Sequence, residues 1–176
     1  MEYKLKDGRV LLVREANEND AKEILEHMEL VVSESDFLLS EPDEIDWDIE
    51  REKKIIKMYR ESKNDLFLVA EFDGKVVGML NFRGGKRRRV KHKGEFGISV
   101  RKKYWGLGIG SALLNTLILW AKKVGIKKIQ LEVVDGNERA INLYLKYGFE
   151  IEGRKKRAVF KDGIYIDLII MGRWLG

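Results

Sequence analysis

The chain has 176 residues, 44% hydrophobic and 36% charged, with a net charge of +5 and no cysteine. That length suits one domain with a substantial core, expected to span residues 1–176, and the lack of Cys excludes disulfides, thiolate metal sites and a cysteine nucleophile. No segment is apolar for long enough to cross a membrane and Met1 to Gly8 has no apolar signal core, so a cytoplasmic protein is expected.

Val10 to Val13 is a short apolar run ended by Arg14 and Glu15, read as the first strand. Asn17 to Asp20 has the composition of a helix start, and Ile24, Leu25, Met28 and Val31 follow at helical spacing. Ser33 to Ile45 carries Phe37, Leu38, Leu39 and the single proline, Pro42, and reads as a loop with apolar residues in need of a surface. A second, highly charged helix is expected from Asp46 to Ser62, with Trp47, Ile55, Ile56 and Met58 towards the core. Leu66–Phe72 and Val76–Phe82 flank Asp73-Gly74, a hairpin signal.

Gly84 to Lys93 is a basic loop, and the next strand begins near Glu95. After Trp105 to Gly110 comes a helix with the stripe Ile109, Leu113, Leu114, Leu117, Ile118 and Ala121, ended by Gly125. Lys127–Val134 is a strand and Glu138–Lys146 a short helix closed by Gly148. Phe149–Phe160 and Ile164–Met171 form a last hairpin around Asp162-Gly163. The two strands joined by the long helix must be parallel, because a crossover helix requires it. The expected class is α+β, a mixed and mostly antiparallel sheet with helices packed on it.

Gly106, Gly108 and Gly110 fall where that helix begins. A helix start carries unpaired N–H groups and the positive end of the dipole, and glycines allow a phosphate close to the main chain. A Walker loop needs Gly-Lys-Ser/Thr, and Ser111-Ala112 follow Gly110 instead. A dinucleotide fingerprint from Gly106 or Gly108 ends on Ser111 or Leu113 rather than glycine, and no second βαβ unit follows.

Trp105-Gly-Leu-Gly108-Ile-Gly110 resembles motif A of the GCN5-related N-acetyltransferases (GNAT), written Gln/Arg-x-x-Gly-x-Gly/Ala. Trp105 departs from the Gln/Arg place, as it does in several branches, the ribosomal-protein acetyltransferase-like one among them. Asn137-x-x-Ala140-x-x-Leu143-Tyr144-x-x-x-Gly148-Phe149 resembles motif B of the same family, and Gly94 to Val100 precedes motif A as the family's strand does. The resemblance implies one GNAT domain with helices on both sheet faces and a splayed parallel strand pair. It implies acetyl-coenzyme A as co-substrate, no metal, and a primary amine as acceptor, either a protein N-terminus or a small molecule. Homodimers are common in the family.

The resemblance also assigns residues. Main-chain N–H groups of Gly106, Leu107, Gly108, Ile109, Gly110 and Ser111, behind Trp105, would hold the pyrophosphate, with Arg101 or Lys102 adding charge. Ile98, Ser99 and Val100 would lie along the pantetheine arm, with an N–H near Ile98 or Ser99 meeting the oxyanion. Tyr144 would give a proton to the leaving thiolate; a phenol of pKa about 10 suits a thiol of about 8.5. Its spacing from Ala140 equally suits a packed core tyrosine. Asn137 reads as a helix N-cap and a cofactor contact, while Gly148 and Phe149 read as structural. Glu95, with Glu132 as second choice, could take the proton of the attacking amine through water. Neither His27 nor His92 recommends itself, and no spacing suggests a metal site. The basic run Lys86 to Lys93 lacks the interleaved aromatics that nucleic-acid stacking uses. A non-catalytic coenzyme A sensor or an RNA-binding module is the alternative of a different class.

Overall fold

The computed structural model describes residues 1–176, and its elements follow the order β1 (Glu2–Lys4), β2 (Val10–Glu15), α1 (Ala21–Glu34), α2 (Ile49–Glu61), β3 (Asp65–Phe72), β4 (Lys75–Gly84), β5 (Lys93–Val100), α3 (Ile109–Val124), β6 (Lys128–Val134), α4 (Glu138–Lys146), β7 (Glu150–Lys161) and β8 (Ile164–Trp174). One eight-stranded sheet runs in the order β1-β2-β3-β4-β5-β6-β8-β7. Strand β1 is the element the sequence did not announce. It is three residues, too short for its alternation to stand out, and it exists because β2 offers it an edge.

Local chemistry explains the boundaries. Asn17 and Asp20 form a reciprocal capping box, which starts a short 3-10 turn that runs into α1. Arg14 holds Asp20 at 2.7 Å and Glu71 at 2.8 Å, tying that turn to β3. Helix α2 begins later than expected, because the Asp48 side chain accepts the Arg51 N–H and so takes the N-cap. Trp47 therefore lies before the helix and is exposed, and Met58 is exposed as well, which corrects their expected core positions. Ile56 and Tyr59 face the sheet, and a residue two places from Ile56 points to the opposite side. Both Asp-Gly hairpins form, with positive φ at Asp73, Gly74, Asp162 and Gly163 as a two-residue I′ turn needs.

Helices α1 and α2 cover one face of the sheet over a small core that includes Ile24, Ile56, Phe67 and Val69. Helices α3 and α4 cover the other face over the larger core, where the whole α3 stripe is buried. Each such side chain contributes roughly 1.5–3 kcal/mol by leaving water. The stripe fixes where the first turn of α3 must sit, above the C-terminal end of β5.

Strands β5 and β6 are parallel but paired only at Lys93–Lys128, Gly94–Ile129 and Glu95–Gln130. Beyond that β5 stays with β4 as far as Val100, and β6 stays with β8 as far as Val134. The paired end is tight. A Cβ on Gly94 would overlap the Phe82 ring and the Arg83 carbonyl, whereas a Cβ on Gly97, three residues on, would meet nothing within 4 Å. Gly94→Ala is thus expected to cost about 1–3 kcal/mol of stability and Gly97→Ala to leave the fold intact, as read by denaturant midpoints of the two variants.

Candidate functional site

Past β5 the chain makes a 3-10 turn at Lys102–Tyr104, and the Trp105 indole N–H donates to the Val100 carbonyl at 2.7 Å. Gly106 and Gly108 then adopt φ of +78° and +101°, conformations that a side chain resists. Gly110 has a different task. A Cβ there would lie 3.1 Å from Leu143 Cδ2, so its absence lets α4 close on the start of α3. No backbone or side-chain acceptor in the chain takes the N–H groups of residues 106–111; that of Ala112 is the first to bond, to the Gly108 carbonyl. Six consecutive donors at the positive end of a sixteen-residue helix form an anion cradle. The Leu107 side chain packs on the main core, and its carbonyl accepts the Lys6 N–H at 3.2 Å, leaving only its N–H to the cradle.

The second half of the site follows from strand alternation. Arg101 N–H bonds the Val77 carbonyl and Gly85 N–H bonds the Lys93 carbonyl, so odd-numbered residues of β5 direct their backbone groups to β4. The even-numbered ones direct theirs towards β6: Phe96 N–H belongs to the last bridge, Glu95–Gln130, and beyond it Ile98 and Val100 face an opening that β6 has already left. The opening between the strands therefore exposes the N–H of Ile98, while the backbone of Ser99 is committed to β4.

A cavity of about 420 Å³ occupies this opening. Ile98, Ser99, Val100, Trp105, Gly106, Gly108, Ile109, Gly110, Ser111, Asn137 and Tyr144 all line it, the sequence-derived candidates brought to one place. Tyr144 packs against Phe96 and Phe149 with ring centroids 5.8 and 6.0 Å away. Burial pushes its phenol well above the ordinary tyrosine value, opposed in part by Arg139, so it stays protonated. Asn137 caps α4 by accepting the Ala140 N–H at 3.3 Å. Glu132 lines the cavity and is ion-paired with Lys155, but Glu95 is exposed at the closed end of the fork and does not line it. Arg101 points to the opposite face, its guanidinium 3.9 Å from Glu23, and Lys102 sits beside the Trp105 ring. No cluster of His, Cys, Asp or Glu could hold a metal ion.

A family model described as the acetyltransferase (GNAT) family matches residues 30–149. The chain belongs to the GNAT family. An L-amino acid N-acetyltransferase from Escherichia coli (strain K12) is 39% identical over 107 residues, 60% of this chain and 66% of its own length. Two other curated relatives are covered over 43% and 39% of their lengths. A GNAT acetyltransferase from Streptococcus pneumoniae superposes with a TM-score of 0.90 at 36% identity, over 94% of this chain and 99% of that one. The ribosomal-protein-alanine N-acetyltransferase of Brucella melitensis gives 0.82 at 27%, over 93% and 99%. The mixed sheet, its splayed parallel pair and the helices on both faces are the GNAT fold.

Two features of this GNAT chain escaped the sequence reading. Arg139 stacks on Trp105, its guanidinium carbon 3.2 Å from the ring centroid at the cavity wall. A cation in the first turn of a helix opposes the dipole, and that was the available signal. His27 is fully buried, with Nε2 2.9 Å from Ser99 Oγ and Nδ1 without a partner. Burial, then the charge of Arg101, lowers its pKa to about 3. An unfolded chain takes up this proton below its ordinary value of 6.5 while the folded one does not, so stability falls as pH drops from about 6.5 towards 3. His27→Gln is expected to flatten that limb of the stability–pH curve measured by chemical denaturation.

Proposed function

We propose that this chain, acting as a single domain, is an acetyl-coenzyme A-dependent N-acetyltransferase that passes the acetyl group directly to a primary amine. The run of open N–H groups from residue 106 to 111, set at the mouth of the β5/β6 fork, carries this reading. A diphosphate suits such a cradle because the donors are fixed by the backbone and add to the helix dipole. Arg139 on Trp105 and the side chain of Lys6 bring positive charge to the same cavity.

Acetyl-coenzyme A supplies an activated acyl group on a thiol leaving group. The chain holds the arm along the even-numbered backbone of β5, where the N–H of Ile98 faces the carbonyl oxygen as it gains charge. A fixed donor in a site that excludes water stabilises that charge strongly. The amine nitrogen forms its bond to the acetyl carbon as the carbon–sulfur bond breaks. Tyr144 gives its proton to the departing sulfur. The amine loses a proton through water to a carboxylate, and Glu132 is better placed than Glu95 because it lines the cavity. With no cysteine in the chain, a thioester on the enzyme has no nucleophile to form it. Much of the rate comes from holding amine and thioester in contact.

The acceptor approaches from the loop between α1 and α2, whose Phe37, Leu38 and Leu39 line the cavity. The names of the Escherichia coli and Brucella proteins put their acceptor nitrogen on an L-amino acid and on an alanine of a ribosomal protein. We infer an amine of that general kind here.

Tyr144→Phe is expected to lower kcat about 100-fold or more while acetyl-coenzyme A still binds, measured by thiol release and by calorimetry; unchanged turnover would remove Tyr144 from the reaction. Glu132→Gln should slow the amine step more than Glu95→Gln does, read as kcat/KM for the amine at one fixed pH.

A further inference from the structure

A second cavity of about 190 Å³ opens on the α1 side of the sheet and shares Val31, Leu38, Leu39, Gly97, Ile98 and Ser99 with the first. The fork thus connects the two faces of the sheet. Its wall is made by Met28 and Val32 of α1, Ile45 of the following loop and Met79 of β4. None of its twelve lining residues is Asp, Glu, Lys, Arg or His. An acceptor with several ammonium groups would leave water here without any carboxylate to meet it, which is strongly unfavourable.

The polar point nearest the fork is the Ser99 hydroxyl. It lines both cavities, and the buried His27 ring fixes it from behind at 2.9 Å. Whichever ring nitrogen carries the proton, Ser99 Oγ keeps at least one lone pair free to accept an N–H bond.

We propose that this second cavity takes the acceptor, a primary monoamine on an apolar carbon skeleton, and that Ser99, positioned by His27, receives one of its N–H bonds. The proposal rests on the acetyltransferase reading above for the donor side. Accepting an N–H leaves the nitrogen lone pair directed away from Ser99. Ile98, whose N–H faces the acetyl oxygen, is the adjacent residue. His27 touches neither substrate and acts only by holding the hydroxyl. The two sources of such an amine, a free small molecule and the first residue of a peptide, share this chemistry.

The test uses the full chain with acetyl-coenzyme A and an amine panel of isoamylamine, phenethylamine, L-leucinamide, a peptide beginning with Leu, spermidine and kanamycin. The apolar monoamines should exceed spermidine and kanamycin in kcat/KM by more than about tenfold, and L-leucinamide against the peptide separates the two sources. Ser99→Ala should raise the amine KM about tenfold, a larger change than in acetyl-coenzyme A affinity, because the Ser99 backbone is held by β4 whatever the side chain. His27→Leu should reproduce that effect, and His27→Gln, which keeps a polar group near the Nε2 position, should recover part of it. Asn81→Asp adds a carboxylate to the cavity wall and should move preference towards a diamine such as cadaverine. Ser99 also lines the donor cavity, so if Ser99→Ala loses acetyl-coenzyme A binding, the panel with Asn81→Asp decides. A preference of the wild type for spermidine or kanamycin, an unchanged amine KM in a Ser99→Ala protein that binds acetyl-coenzyme A, or binding with no apolar amine acetylated would each overturn the proposal while sparing the donor site. Failure of the wild type to bind acetyl-coenzyme A would instead remove the acetyltransferase reading, and this proposal with it.

Discussion

The ladder between β5 and β6 ends at Glu95 and Gln130, and the site exists because of that early ending. Each strand has a longer antiparallel commitment on its other side, β5 to β4 and β6 to β8. Sheet twist separates the two pairs, and three parallel residue pairs are too few to hold them together over their full length. Past that point the backbone groups of Ile98 and the N–H of Val100 are left facing a gap, while the Val100 carbonyl is taken by the Trp105 indole. In a closed sheet the backbone of Ile98 would be structural; here it is open.

Helix α3 turns that gap into a site. Its apolar stripe pins it to the sheet, and this puts its first turn beside the open end of β5. The three glycines divide the work of making the turn usable. Gly106 and Gly108 supply left-handed backbone, while Gly110 gives α4 room to close in through Leu143. Closure of α4 in turn delivers Tyr144, Asn137 and Arg139 to the same cavity. Tyr144 is both a core ring against Phe96 and Phe149 and a member of the cavity wall.

The two sides of the fork differ in kind. Towards α3 and α4 the wall offers backbone donors, an arginine stacked on an indole and a lysine, which suits an anion. Towards α1 it is apolar, with the Ser99 hydroxyl as the polar group at the junction. The odd–even alternation of β5 sorts these roles, because Ile98 and Ser99 are neighbours in sequence but face opposite sides of one strand.

Periodicity, turn chemistry and glycine placement were enough to read the sheet-and-helix order from β2 onward, both Asp-Gly hairpins, the α3 stripe and the glycine turn before it, because each is a local preference that tertiary structure had no reason to override. That Gly106, Gly108 to Ser111 and Tyr144 meet around one cavity was expected for the same reason, from motifs of fixed local spacing. What lay beyond the sequence was every feature created by long-range register. By sequence Glu95 was the first choice of acid and Glu132 the second, and only the point where the ladder stops places one at the closed end and the other in the cavity wall. Trp47 turned outward because the Asp48 cap starts α2 after it, and Met58 because packing chose the face that carries Ile56, two places away. His27 looks like any helix residue until α1 is laid across β5, 72 positions away, and its ring meets Ser99. Chain-local forces decided which elements form; which side chains share a cavity was decided by how those elements were forced to pack.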